Sequence, residues 1–322
     1  MPHHLTNADL HSHSTVSDGT LAPEAVAAFA AERGVELWAL TDHDEVAGQA
    51  RARAAALAAG LDHLTGCEIS VSFAGETVHI VGLGFDETDP ALVQGLAATR
   101  AGRLQRAREM GEGLARVGIE GAFEGALRLA GNPDLVTRTH FARFLVEAGV
   151  CPNTHSVFTR YLKEGLPGYV PYQWARLGDA VRWITGAGGM AVIAHPARYR
   201  FSPTAEYALI TEFIEHGGRG IEVVTGSHGV ADVMKYTDTA REFGLLASRG
   251  SDFHSPTESR VMPGELPDLP GSLTPVWQAL QERITRAGRN KSLRKNPESP
   301  TLVGCPELRA FVHLLRPPFS SV

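Results

Sequence analysis

The sequence predicts an α/β fold on a parallel sheet, either open or closed into a barrel. Three observations predict it. Short β-type runs alternate with helical patterns along most of the chain, the pattern of repeated βα units. A length of 322 residues, 43% hydrophobic and 20% charged, suits one large domain or a large domain carrying an insertion. Histidines and carboxylates recur just after the predicted strands, the edge where α/β folds build active sites.

The elements follow in order. A short strand covers Ala8–Leu10. Ala22–Arg33 is a helix, with Pro23 in its first turn and Gly34 just past its end. Leu37–Thr41 (LWALT) is a strand, and Val46–Ala59 is an alanine-rich helix followed by Gly60. His63–Thr65, Val71–Phe73 and Val78–Phe85 read as strands, with Gly75-Glu76 as the turn between the last two. Pro90 to about Gly118 reads as one long helix, and 119–178 as helical and irregular. The stretch of about 100–178 therefore reads as a helical insertion. The alternation resumes with a helix at Asp179–Gly186, a strand at Met190–Ala194 and a helix at Thr204–His216. A strand at Gly220–Val224, a helix at Ala231–Phe243 and a strand at Leu245–Ser248 follow, then a last helix at Pro275–Arg286. Residues 287–322, rich in Arg, Lys, Pro and Ser, read as a tail beyond a domain of residues 1–286.

The composition excludes several functions. There are 14 His but only 3 Cys (Cys67, Cys151 and Cys305). That is too few, too scattered, for a disulfide framework or a thiolate zinc site. Any metal must be held by imidazoles and carboxylates. No run reaches the roughly 18 apolar residues of a membrane span. The opening MPHHLTNADLHSHS lacks the basic-then-apolar order of a secretory signal, so the cytoplasm is the expected compartment. A formal charge of −6 argues against duplex DNA as a partner, because that binding needs a phosphate-neutralising surface.

The candidate site is assembled from strand ends. Asp9, His11, His13 and Asp18 follow the first strand; Asp42, His43 and Asp44 follow the second. Glu68 ends the third, and His79 lies near the start of the next. His195, in Ala-His-Pro, ends the strand at Met190–Ala194; Asp252 and His254 follow the last. Two residues apart in an extended segment, His11 and His13 point to the same side, and so do Asp252 and His254. Imidazoles with a carboxylate suit Mn²⁺, Fe²⁺ or Zn²⁺. A single His at a strand end is usually just a hydrogen-bonded residue. Nine metal-capable residues on one edge (His11, His13, Asp18, His43, Glu68, His79, His195, Asp252 and His254) resist that reading together. They also exceed what one ion uses, which points to two or three ions sharing a bridging carboxylate. By contrast Arg100, Arg103, Arg106 and Arg108, mixed with Glu109 and Glu112, read as a solvated helix face.

At these residues the chain resembles the PHP (polymerase and histidinol phosphatase) family of metal-dependent phosphoesterases. The motifs are Asp9-Leu10-His11-Ser12-His13-Ser14, Thr41-Asp42-His43-Asp44, Gly66-Cys67-Glu68, Ala194-His195-Pro196 and Ser251-Asp252-Phe253-His254. The resemblance implies a distorted seven-stranded (β/α)7 TIM-like barrel with the helical insertion. It implies one ion on His11, His13, Glu68 and Asp252, a second on Glu68, His79 and His195, and a third on Asp18, His43 and His254. Mn²⁺ is the first expectation; Fe²⁺, Zn²⁺ and Mg²⁺ are the alternatives. Within the family, Thr137-Arg138-Thr139-His140-Phe141-Ala142-Arg143-Phe144-Leu145-Val146-Glu147 and Tyr161-Leu162-Lys163 resemble the bacterial 3',5'-nucleotide bisphosphate phosphatases, a group also described as ribonuclease AM. The implied activity is removal of the 3'-phosphate from a small nucleotide bisphosphate, with 5'-3' exoribonuclease action on short RNA. Arg138, His140, Arg143 and Lys163 are then candidates for the far phosphate, because guanidinium forks match phosphate oxygens. Ser227 and His228, after the strand at Gly220–Val224, are further candidates. The alternatives are a PHP phosphatase for another small ester, such as histidinol phosphate, and a non-catalytic PHP module.

Overall fold

The computed structural model describes residues 6–288, so the expected tail lies almost wholly outside the described residues. Seven strands form the main sheet: β1 (Ala8–Asp9), β2 (Leu37–Leu40), β3 (Asp62–Phe73), β4 (Glu76–Leu83), β6 (Met190–Ile193), β7 (Gly220–Thr225) and β8 (Leu246–Gly250), in that spatial order. The two-residue β5 (Ala175–Arg176) adds to the side of β3. Beyond β8 the chain returns to β1: Leu10 N–H donates to Arg249 O at 3.0 Å and Asp252 N–H to His11 O at 2.8 Å. The sheet thereby becomes nearly closed, the barrel-like form that the resemblance implies.

The parallel pattern has one interruption. β1–β2–β3 and β6–β7–β8 pair in parallel, but β4 is antiparallel to both β3 and β6. The cause is local. The turn is Ala74-Gly75, not the expected Gly75-Glu76, and both residues have positive φ (48° and 84°). Such a turn matches strand twist and closes a tight hairpin. The separate runs at His63–Thr65 and Val71–Phe73 join into one twelve-residue β3.

Outside the sheet lie α1 (Pro23–Glu32), α2 (Gln49–Ala58), α3 (Pro90–Arg100), α8 (Leu177–Gly186), α9 (Pro203–Glu215), α10 (Val230–Glu242) and the short α11 (Val276–Ala279). Between β4 and β5 the chain also forms α4 (Arg103–Ala115), α5 (Ala122–Leu129), α6 (Arg138–Glu147) and α7 (Thr154–Val157). These four build their own apolar cluster, including Met110, Leu114, Phe141, Leu145 and Leu162. The single helix expected over 90–118 is broken at Gly102, where a Cβ would meet the Tyr172 hydroxyl at 1.7 Å; only glycine allows that approach. The last helix is shorter than expected because the chain after it runs along β3. There Thr285 and His63 exchange both backbone hydrogen bonds at 2.9 Å.

Alternation along the strands sorts the core. Ala8, Leu10, Leu37, Ala39, Leu64, Val81, Leu83, Val192 and Ala194 pack together inside the barrel. Trp38 and Leu40 face the other way, onto Val26, Ala27 and Ala52 of α1 and α2. The apolar plug leaves the other end of the barrel to polar side chains.

Candidate metal centre

The segment after β1 holds His11 and His13 on one side because Ser12 is tied to the other. Its hydroxyl donates to Ala39 O (3.0 Å) and accepts from Trp38 Nε1 (2.9 Å), while its N–H donates to Thr41 Oγ1 (3.0 Å). Asp42 shapes the next loop, accepting from Ser14 N–H, the Ser14 hydroxyl and the Ser17 hydroxyl at 2.8, 2.7 and 2.6 Å. That loop delivers Asp18. On the hairpin, Ser70 pairs with His79 and Glu68 with Val81, so Glu68 and His79 share a face as diagonal neighbours. They sit within strands rather than at strand ends, a correction to the expected placement. His195 and Asp252 hold left-handed φ of 27° and 56°, and Asp44 beside His43 has 48°. Non-glycine residues avoid this region, and such strain concentrates at functional sites.

All nine expected residues converge. Glu68 is the hub: Oε1 lies 2.9 Å from His79 Nδ1, 2.9 Å from His195 Nε2 and 3.3 Å from His11 Nε2. Its Oε2 lies 3.0 Å from His43 Nδ1 and 3.3 Å from His13 Nε2. Asp252 Oδ1 stands 3.2 Å from His13 Nε2 and 3.5 Å from both His11 Nε2 and His254 Nδ1. Asp18 Oδ1 is 3.3 Å from His254 Nε2 and 3.9 Å from His43 Nε2 and His13 Nδ1. Three donor groups result: His11, His13, Glu68 and Asp252; His13, Asp18, His43 and His254; His43, Glu68 and His79. In each, the donor atoms lie within 4.8 Å of one another. His195 joins the third through Glu68 and through His79 Nδ1, 3.4 Å away.

This set fits divalent cations. His11 Nε2, both ring nitrogens of His13, Asp18 Oδ1, His43 Nδ1 and His195 Nδ1 are buried without a hydrogen-bond partner. Leaving such atoms unsatisfied costs on the order of 1–3 kcal/mol each, unless something in the shared space accepts their lone pairs. Burial works to raise the carboxyls of Glu68, Asp18 and Asp252, yet all three are held well below the usual range, Glu68 and Asp18 by the surrounding imidazoles and Asp252 first by its ion pair with Arg198 and then by the imidazoles. Burial drives His43 well down and His195 to about 4, leaving both neutral, as metal donation requires. On His13 burial also acts downward, but Asp252 and Glu68 override it and raise the ring to about 10.

The expected substrate contacts fare differently. Arg138, at the start of α6, has no hydrogen bond or ion pair among the described residues, only the Phe158 ring 5.9 Å away. His140 is instead part of the α6 cap, accepting the Thr137 N–H on Nδ1 at 3.0 Å; burial lowers it to about 4. Arg143 grips Glu258 with Nε and Nη2 and donates to Asp18 O at 2.7 Å. Lys163 is exposed. Ser227 bonds Thr225 Oγ1 (2.9 Å), while His228 bonds Val223 O (2.9 Å) and stacks on Tyr236.

Arg103 and Arg106 overturn the reading of a solvated helix face: they are 4% and 8% exposed. Arg103 pairs with Asp44 and bonds Ser70 Oγ at 3.0 Å. Arg106 Nε donates to Val170 O at 3.0 Å. Both guanidiniums lie against Trp174, 4.4 and 5.3 Å from its ring centre, and Tyr172 packs on Trp174 at 4.5 Å. Burial, together with Arg138 and Arg103 alongside, pushes Arg106 down to about 10. The helix pattern could not show this, because the covering residues lie some seventy positions onward. Thr137, whose hydroxyl donates to Asp18 Oδ2 (3.1 Å), and Tyr199, whose hydroxyl accepts the His79 N–H (2.9 Å), also escaped the sequence reading. So did Glu222, although a lone carboxylate in the strand IEVV was a usable signal.

The chain is similar to known proteins. The PHP domain profile matches residues 9–131. A 3',5'-nucleoside bisphosphate phosphatase of Chromobacterium violaceum is 51% identical over 282 residues, 88% of this chain and 99% of that protein. The 5'-3' exoribonuclease Rnm of Escherichia coli is 42% identical over 276 residues, 85% of this chain and 94% of that one. The structure of an amidohydrolase from Chromobacterium violaceum, with bound sulfate and no metal, superposes with a TM-score of 0.85. It is 52% identical, covering 87% of this chain and 98% of that one. With so much of both chains shared at such identity, the chain belongs to the PHP domain family.

Proposed function

We propose that this chain is a metal-dependent phosphatase that removes the 3'-phosphate of nucleoside 3',5'-bisphosphates, and that it also trims short 5'-phosphorylated RNA from its 5' end. The observation that carries this reading is the adjacency of two charged clusters. One is the nine-residue donor cluster. The other is the trio Arg103, Arg106 and Arg138, which has a single bonded carboxylate, Asp44. Buried charges are normally paired, so this excess positive charge favours an anionic ligand. The two sites meet through Asp44 beside His43, Ser70 opposite His79, and the Thr137 bond to Asp18. A substrate with two phosphates on one ribose spans such a pair. The phosphatase relative acts on nucleoside 3',5'-bisphosphates by its name, and the Rnm relative is named a 5'-3' exoribonuclease.

The nine residues would hold two or three divalent ions in the order already given, with Glu68 shared. Mn²⁺ is our first choice, since the donors are nitrogen and oxygen without thiolate. Bound there, such ions supply a nucleophile at neutral pH and relieve charge on the phosphoryl oxygens. The chain's own task is placement. The arginine trio would take the 5'-phosphate, with the Trp174 and Tyr172 rings alongside, and so bring the 3'-phosphate to the donor cluster. His43, His79 and His254 are the partly exposed members, with side chains 11%, 21% and 20% accessible, and they face the approach. The buried free thiols Cys67 and Cys151 agree with a cytoplasmic setting.

The test is a substrate panel after metal reconstitution. It compares adenosine 3',5'-bisphosphate, adenosine 3'-monophosphate, histidinol phosphate and a 5'-phosphorylated oligonucleotide under Mn²⁺. The bisphosphate should be turned over with the highest kcat/KM. Equal or better turnover of histidinol phosphate or of the monophosphate would refute the reading.

A further inference from the structure

β7 carries one charged side chain in the run Gly220-Ile221-Glu222-Val223-Val224. Glu222 is 1% exposed. The ladder to β8 shifts register between Glu222 and Val224, a bulge of the kind that re-aims a side chain beside an active site. Both carboxylate oxygens are used. Oε1 faces His11 Nδ1 at 2.8 Å. Oε2 accepts the backbone N–H of His195 at 2.6 Å.

Each bond has a consequence at a different place in the cluster. With the proton held on Nδ1, His11 presents a bare Nε2 toward Glu68 and Asp252. The bond to His195 clamps the backbone at a residue held at φ 27° just before Pro196. That clamp keeps His195 Nε2 2.9 Å from Glu68 Oε1. A carboxylate fixing the tautomer and aim of a ligand histidine is a recurring outer-shell device. Here one carboxylate serves two histidines that both approach Glu68 Oε1.

We infer that Glu222 is a positioning residue that orients His11 and His195 together, so that two ion positions sharing Glu68 are set by one buried side chain. This rests on the metal-centre reading above. Glutamine keeps the shape of Glu222 but cannot serve both partners. If its oxygen accepts from His195, its amide faces His11 Nδ1 and drives the His11 proton to Nε2. If its oxygen accepts from His11, two N–H groups confront each other in a buried site.

The test uses wild type and Glu222→Gln, titrated with Zn²⁺ and Mn²⁺ by calorimetry. Chain folding is checked by circular dichroism and by thermal unfolding without metal. The variant should bind both metals about 10–100-fold more weakly, with loss at more than one ion position and little change in metal-free unfolding. In Zn²⁺-loaded wild type, long-range ¹⁵N–¹H spectra should find the His11 proton on Nδ1; this measurement decides even if the variant does not fold. Wild-type affinity in a folded variant, or a proton on His11 Nε2, overturns the inference alone. Wild type that binds neither metal overturns the metal-centre reading and this inference together.

Discussion

The donor cluster and the arginine pocket lie side by side but are built in opposite ways. The cluster stands on strands and strand ends, each side chain set by the pleat or by a short pinned loop. Seven of its nine members lie within five short motifs, and Asp18 and His79 lie outside them. The pocket gathers Arg103 and Arg106 from α4, Arg138 from the start of α6, and Trp174 and Tyr172 from the loop before β5. The first is dense in lone pairs, and one guanidinium, Arg198, pairs with its Asp252. The second is dense in cations and short of carboxylates. On the proposed function, the two together would take a ligand with a reacting phosphate and an anchoring phosphate, the helices between β4 and β5 lending the anchor to the barrel.

The largest effect that would break this division is expected at the hub. Glu68→Gln removes the shared carboxylate that touches five imidazoles, so kcat should fall by at least about 10³-fold on every substrate. Measurement of kcat after metal reconstitution checks it, and a variant with near-normal turnover would mean that Glu68 is not the bridge.

The next effect sharpens the contrast within the pocket. Arg138→Ala should raise KM for adenosine 3',5'-bisphosphate about 10–100-fold, the loss of a hydrogen-bonded charge contact of about 1.5–3 kcal/mol. KM for the 3'-monophosphate should barely move. Unfolding of this variant should be near normal, since Arg138 has no bonded partner to strand. Arg103→Met should differ, because it leaves Asp44 buried and uncompensated. A loss of about 3–5 kcal/mol in urea unfolding is expected there. Equal KM effects on both substrates for Arg138→Ala would count against the anchor.

The smallest expected effect lies away from both sites. His63 on β3 is fully buried, with neither ring nitrogen hydrogen-bonded, and burial, aided by Arg53, lowers it to about 3. The folded state therefore keeps this ring neutral, while the unfolded chain takes up a proton below pH about 6.5. Its contribution is fully present above that pH and is lost as pH falls toward 3. Between pH 7 and 5 the loss should be about 2 kcal/mol. His63→Leu should abolish this part of the acid sensitivity in urea unfolding at the two pH values. Parallel pH dependence in variant and wild type would show that His63 is not the source.

Much of this was legible in the sequence for one physical reason: local periodicity fixes where a side chain points. Two-residue spacing put His11 with His13, and glycine and proline marked the helix ends to within a few residues. Local patterns failed where a distant contact decided. The hairpin needed left-handed backbone at Ala74, which no alternation reveals. Gly102 broke a helix because Tyr172 sits against it, and the last helix yielded to pairing of Thr285 with His63. The charge pattern on α4 suggested solvent, yet Trp174 covers two of its arginines.

By itself, then, the sequence determined the fold class and the nine side chains that meet in one cluster, because those follow from residue type, period and spacing. Only the tertiary structure decided that β4 runs antiparallel, that Glu68 is the hub of the cluster, that Glu222 stands behind two of its histidines, and that Arg103 and Arg106 are buried against Trp174 with Arg138 nearby. Those depend on which distant surfaces meet, and on burial that turns an ordinary surface arginine into a charge needing a partner.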